Sequence, residues 1–289
     1  MRIDIKKPFR EQYTVFIDSD LMAINAVMKG KTQLRWDFEV VSIQPEETLE
    51  IRLLLLEQNI LEANNPLVRE VAAFTSTLAS VYNELHLITD RKGKILKILN
   101  KDILVSKWKL IKNELIKIAS HTPDIQNVVT INDNLFQDDG NLINSLQQSE
   151  FFMLYFNSIF GKLLPYTLSN YKMPNFLNTA VLPWDKKITF EGIDTATGNL
   201  KIEVKSTPDF PFFNSFKETA YGQFKDKIDL AKVIPQLSEE GKYLVEEKTG
   251  RVLLSEIKRE EMVAPGQLYT KVKYTFMCAE AYSEYLAKQ

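Results

Sequence analysis

Cysteine is nearly absent from this 289-residue chain: Cys278 stands alone, so no disulfide can close within it. Histidine is almost as scarce. His86 and His121 together with one thiol cannot complete a Cys/His zinc cage, and the sequence calls for no metal or other cofactor. The ten glycines fall into no G-x-x-x-x-G-K-[ST] phosphate loop, no G-x-G-x-x-G turn and no G-x-S-x-G elbow, and H-E-x-x-H is missing too. Net charge is small: 36 basic against 38 acidic side chains give -2 at pH 7. That balance exerts no overall pull on nucleic acid, so a nucleic-acid partner is disfavoured. Long apolar runs are lacking as well. The most apolar stretch, FFMLYFNSIFGKLL at 151–164, is interrupted by Asn157, Ser158 and Lys162. It is shorter than the roughly 20 residues a spanning helix requires, and a buried helix is expected there. MRIDIKKPFREQYTVF at the start carries charge from its second residue and no apolar signal core, so the expected location is cytoplasmic.

What the chain does have is 45% apolar and 11% aromatic residues, enough for a sizeable core. TQLRWDFEVVSI at 32–43 alternates, with Leu34, Trp36, Phe38 and Val40 on one side and Arg35, Asp37 and Glu39 on the other: a half-buried strand. TLEIRLLLLEQ at 48–58 puts Leu49, Ile51, Leu53 and Leu55 on one side, and QPEE between the two reads as a hairpin turn. YTVFIDS at 13–19 is a further strand. At 64–85 the period changes: Val68, Val71, Thr75, Leu78, Ala79 and Tyr82 recur at helical steps, with Asn65 as cap and Pro66 in the first turn. A second helix is expected from Asn100 to just before Pro123, with a narrow stripe of Leu104, Trp108, Ile111, Leu115 and Ile118. A third, at about 142–164, is expected to follow a break at DDGN and to end at Pro165. From 166 the signals are β-rich up to KVKYTF at 271–276, with a short closing helix. The fold class expected is α+β: one domain over 1–289, with antiparallel sheet from its β-rich ends, 1–99 and 166–289, packed around helices in 100–165.

Three stretches share one shape, an apolar strand, a polar turn ending in glycine, and another apolar strand: 84–99, 186–204 and 241–257. Glycine takes positive φ at little cost, which accounts for its recurrence in such turns. The third contains KTG at 248–250. Together with SKWK at 106–109 and YFN at 155–157 it reproduces, in order, the short motifs of the serine β-lactamases. The context argues for chance: Ser106 and Lys109 lie within a helix, opposite the Trp108 stripe, and KTG lies in a turn rather than along a strand. DNLFQDDGN at 133–141 fails as a calcium loop, because Leu135 and Leu146 would occupy the first and twelfth ligand positions. His86 and His121 read as structural. No catalytic residue is assigned, and a non-enzymatic protein is expected.

Charge is segregated along the chain. Residues 37–70 hold eight acids and two bases, whereas 90–117 hold nine bases and three acids. Arg91, Lys92, Lys94, Lys97, Lys101, Lys107, Lys109 and Lys112, with Lys117, therefore form a candidate partner-facing segment, unless the two segments face each other. The leading expectation is a protein-binding component of adaptor, immunity or assembly type, its partner another protein. The alternative is a carrier of an apolar small molecule, with Phe152, Phe156 and Phe160 lining its pocket. An undetected hydrolase ranks third.

Overall fold

The computed structural model describes residues 1–119, 123–209, 211 and 214–288, with the side chains of Leu67, Val71, Ile118, Ala119, Pro123 and Asp124 outside that description. His121 lies outside the described residues. Eleven strands form one antiparallel sheet in the order β5-β4-β3-β2-β1-β11-β10-β9-β8-β7-β6. They are β1 (Phe9–Ala23), β2 (Ala26–Ile43), β3 (Thr48–Ala63), β4 (Glu84–Asp90), β5 (Ile95–Ile98), β6 (Tyr166–Pro174), β7 (Val181–Ile193), β8 (Leu200–Pro208), β9 (Gln236–Val245), β10 (Val252–Ala264) and β11 (Leu268–Cys278). Most sequence neighbours pair by short turns, β3 with β4 across the helix Pro66–Ala79 and β8 with β9 across the helix Asn214–Tyr221, and β1 beside β11 joins the two ends of the chain. The helices are α1 (Pro66–Ala79), α2 (Lys101–Ala119), α3 (Pro123–Gln137), α4 (Asp139–Gln147), α5 (Glu150–Tyr155), α6 (Asn214–Tyr221) and α7 (Ala279–Leu286). The molecule is thus mixed α+β with the sheet dominant.

All three repeated stretches are hairpins, β4–β5, β7–β8 and β9–β10, and Gly93, Gly198 and Gly250 in their turns all have positive φ. At Gly250 a side chain is also excluded sterically, since a Cβ would stand 2.0 Å from the Asp4 carbonyl oxygen. The KTG turn is a clasp for the N-terminal segment. The Lys6 amide donates to the Thr249 carbonyl at 2.9 Å, and Ile3 and Ile5 are buried beside it.

Two helix boundaries differ from the sequence reading. Pro123 does not follow a helix end but opens α3, where its missing N–H is no loss. DDGN does not interrupt the chain but starts α4, with the Asp138 carboxylate accepting from the Asn141 amide. The single helix read at 142–164 is instead α4, a break at extended Ser149, the short α5 and a turn segment. In that segment Asn157, Ser158 and Gly161 take positive φ, which ends the helix long before Pro165.

One sheet face carries Tyr13, Val15, Leu34, Trp36, Phe38, Val40, Leu49, Ile51, Leu53, Ile257 and Phe276, all buried. The other carries charged cross-strand pairs such as Arg10–Asp37, Arg35–Glu57 and Lys29–Asp20, together with α7, whose Tyr282 and Tyr285 pack on Phe16. The sheet is strongly curled. Six strand spacings separate β2 from β7, about 29 Å along a flat sheet. Yet Phe156 meets Phe38 on β2 while its neighbour Asn157 bonds Lys186 on β7. Only a sheet wrapped around the α5 segment lets adjacent residues touch both.

Candidate ligand cleft

Period two places a residue on the inner face at every second position. On β7 that face reads Leu182, Trp184, Lys186, Ile188; on β9, Leu237, Glu239, Gly241, Tyr243; on β10, Ser255, Ile257, Arg259, Glu261. Charged residues therefore sit in the apolar phase of three strands. Register aligns them in one row, Lys186–Ser206–Glu239–Arg259–Val272–Ser19, running across the sheet.

The row is buried and bonded. The Lys186 Nζ stands 3.1 Å from Glu239 Oε1 and donates to Asn157 Oδ1 at 2.7 Å. Arg259 gives Nε and Nη2 to Glu239 Oε2 at 2.8 and 2.6 Å, and Ser206 Oγ donates to Oε1 at 3.1 Å. Glu239 is wholly buried. Burial opposes its ionisation, but the charges and hydrogen bonds of Lys186 and Arg259 outweigh that and push its pKa down to about 2. Asn157, with φ of 30°, passes the network on by donating Nδ2–H to the Tyr243 hydroxyl at 2.7 Å. Next along β10, Glu261 accepts from Asn175, the Leu177 amide and Tyr221, which fix its position at the edge of a second apolar cluster around Trp184, Phe216 and Leu268.

Besides a polar groove of about 780 Å³ lined by Ser19, Arg259 and Val272 with Asp18, Asp20, Glu62 and Glu260, two open spaces adjoin this row. A cleft of about 590 Å³ lies over β6, β7, β10 and β11 beneath α4 and α5, its apolar walls formed by Phe152, Phe156, Phe160, Leu168, Met173 and Phe176. Lys92, Lys94, Lys162, Lys172, Lys186 and Arg259 also line it, and among the described residues no Asp or Glu does. A second cavity of about 620 Å³ lies over β1, β2, β3 and β11 beneath α1 and α4, lined among others by Ile17, Leu34, Trp36, Leu53, Leu55 and Ala72. Val272 lines both. In the second cavity the buried Trp36 indole N–H and the Tyr82 hydroxyl have no hydrogen-bond partner among the described residues.

Each residue singled out from the sequence has a definite place. Phe152, Phe156 and Phe160 are 1–2% exposed and form a packed wall of the first cleft. The basic segment divides. Arg91 pairs with Glu47, Lys101 with Asp139, Lys107 with Glu84 and Lys112 with Asp133, whereas Lys92 and Lys94 line the cleft and Lys97 and Lys109 are exposed. The acidic and basic stretches meet at the Arg91–Glu47 ion pair. His86 sits 2.7 Å from Glu50 and acts as a cross-strand partner. Ser106 is exposed and donates to its own helix at the Asp102 carbonyl, and Tyr155 is fully buried. Lys186, Glu239, Arg259 and Asn157 were missed by motif searching. For Lys186, Glu239 and Arg259 the signal was a charge at apolar phase in a strand, whereas Asn157, in a turn, carried none.

Among the described residues no group of three or more potential metal ligands gathers, and no helix is long and apolar enough to cross a membrane. No protein-family model matches the chain, and no curated protein matches it. Among solved structures it is similar to one concerned with lipid–protein interactions in lipovitellin, at 11% identity over 96% of this chain, with a TM-score of 0.43. The chain spans about a quarter of that structure's length, 25%. At that score the likeness carries no argument about what this chain does.

Proposed function

We propose that the protein binds an apolar small molecule on the inner face of its curled sheet, with the central helices as a lid. The observation that carries this reading is the cavity of about 620 Å³ beneath α1 and α4. Ligand sites of drug-sized compounds fall in the range of roughly 300–1,000 Å³ and are chiefly apolar concavities. The walls of this one are chiefly apolar. Cargo binding, not chemistry, fits this lining.

Native mass spectrometry of freshly purified protein tests the reading, together with displacement of a bound hydrophobic dye. A co-purified apolar molecule is expected. Ala72→Trp and Thr32→Trp, which fill the cavity from the helix and the sheet, should abolish uptake and leave the melting temperature in place. If no ligand is found and the dye responds equally in parent and filled variants, the reading fails.

A protein-binding role is a second reading, favoured by a run of exposed apolar residues at one sheet edge. Leu96 in β5 and Leu99 just after it, with Ile103 and Leu110 seven residues apart on α2, are all at least 40% exposed. Single exposed apolar residues are ordinary, but four within fifteen residues of chain suit a partner surface. Leu99→Asp and Leu110→Asp together should remove a partner without changing ligand uptake.

A further inference from the structure

We propose that the cationic cleft holds the anionic head, a carboxylate or phosphate, of a single-chain amphiphile whose tail lies in the adjoining apolar cavity. This rests on the ligand-binding reading above and names the ligand class.

The first ground is charge. The cleft is lined by five lysines and an arginine and, among the described residues, by no carboxylate. Among the described residues Lys92, Lys94, Lys162 and Lys172 make no ion pair. The acid on the same turn, Asp90, is occupied by the backbone amides of Lys92 and Lys94. A concave surface of one sign focuses its field and draws in the opposite charge.

The second ground is the buried end of the cleft. Lys186 and Arg259 are two cations facing the single carboxylate of Glu239, with side chains only 4% and 13% exposed. A second buried acid, Glu261 on β10, is bound up with Asn175, Leu177 and Tyr221. Arg259 spends Nε and Nη2 on Glu239 and lies 5.7 Å from the ring of Tyr274, whose hydroxyl interacts with the guanidinium. A guanidinium already oriented by one carboxylate is prepared for a second anion at little ordering cost. The Asn157 bridge and the Tyr171 ring, 5.5 Å below Lys186 Nζ, hold the ammonium in place.

The third ground is continuity. The cross-strand row carries Arg259 directly beside Val272, and Val272 lines both spaces. Both lie under the same α4–α5 lid, with Gln147, Gln148, Phe152 and Met153 over the cleft and Ser145, Leu146, Ser149 and Glu150 over the cavity. The cleft supplies charge and the cavity supplies apolar wall, and an amphiphile requires both at one junction.

Binding of palmitate, monohexadecyl phosphate, palmityl alcohol and inorganic phosphate to the full chain, by calorimetry at low salt and neutral pH, tests this. Either anionic amphiphile should bind roughly tenfold or more tightly than the alcohol, the margin of one good charge-assisted hydrogen bond. That preference should shrink in Lys94→Gln/Lys172→Gln, whose side chains are exposed and whose melting temperature should be unchanged, and it should fall with added salt. Alcohol binding equal to that of the acids would overturn the head-group assignment and leave the apolar cavity standing. Displacement of palmitate by an equal concentration of inorganic phosphate would show a free-anion site and overturn the amphiphile. Failure of all the chained probes would remove the ligand-binding reading itself.

Discussion

The inner face of this sheet is solid at one end and hollow at the other, although the same strands build both. At the solid end Tyr13, Trp36, Phe38 and Phe276 meet Phe151 and Tyr155 from α5, with ring centroids 4.5–6.4 Å apart. At the hollow end Ile17, Leu21, Met28, Thr32 and Leu55 face α1, whose lining residues among the described side chains are Val68, Ala72, Thr75 and Ala79. The strands contribute apolar side chains to both ends; the lid decides which end fills. Aromatic residues on a six-residue helix close the first, and small residues at helical spacing leave the second open. The row reaches the hollow end through its uncharged members Val272 and Ser19, while its charged members Lys186, Glu239 and Arg259 lie further along the sheet and are largely buried.

The largest expected effect tests whether the charged row is truly buried. Glu239→Ala removes the one carboxylate shared by Lys186 and Arg259 and should cost about 3–5 kcal/mol, read by denaturant melts. The sign with pH follows from the lowered pKa. Because Glu239 ionises more readily folded than unfolded, its contribution is complete above its ordinary value of 4.5 and is lost as the pH falls toward about 2. Glu239→Gln should lack that acid-labile component. Parent-like stability in the alanine variant would mean that both cations already reach water.

A smaller effect separates solid from hollow. Phe151→Trp enlarges a fully buried ring touching six other aromatic side chains and should destabilise by about 1–3 kcal/mol through overpacking. Ala72→Leu enlarges the α1 lining by a comparable step toward open space and should instead stabilise, by about 0.5–2 kcal/mol, as cavity filling does. Opposite signs in paired thermal melts would sustain the comparison; destabilisation by both would show the second cavity to be closed in solution.

How much of this could be read beforehand depends on the physical signal involved. Strand pairs, inner-face phases and hairpin turns were legible, because alternation and a turn glycine are local properties. Val40, Phe38 and Ile51 sit where their phase put them. The break within 142–164 was not legible, since its apolar residues suit a helix and only tertiary bonds reward left-handed Asn157 and Ser158. Nor was the site. Lys186, Glu239 and Arg259 lie in separate strands, and only register brings them together, although each stands out as a charge at apolar phase. The cavity had no sequence signature, being a deficit of volume between α1 and a sheet face distant in sequence.

The smallest expected effect lies outside both ends and supplies their baseline. Ser106 belongs to the S-x-x-K that, with YFN and KTG, mimics a penicillin-reactive set. Its hydroxyl returns to the Asp102 carbonyl one helical turn back, its neighbour Lys109 is exposed, and Gly250 is engaged against the Asp4 carbonyl in the clasp that holds the N-terminal segment. No base or oxyanion donor touches the serine among the described residues. Ser106→Ala should therefore shift stability by less than about 0.5 kcal/mol, as exposed positions do, and should leave ligand uptake unchanged. Intact mass after incubation with a penicillin should show no acyl adduct. A stoichiometric adduct, lost in the Ser106 variant, would transfer the function from the hollow end of the sheet to the surface of α2.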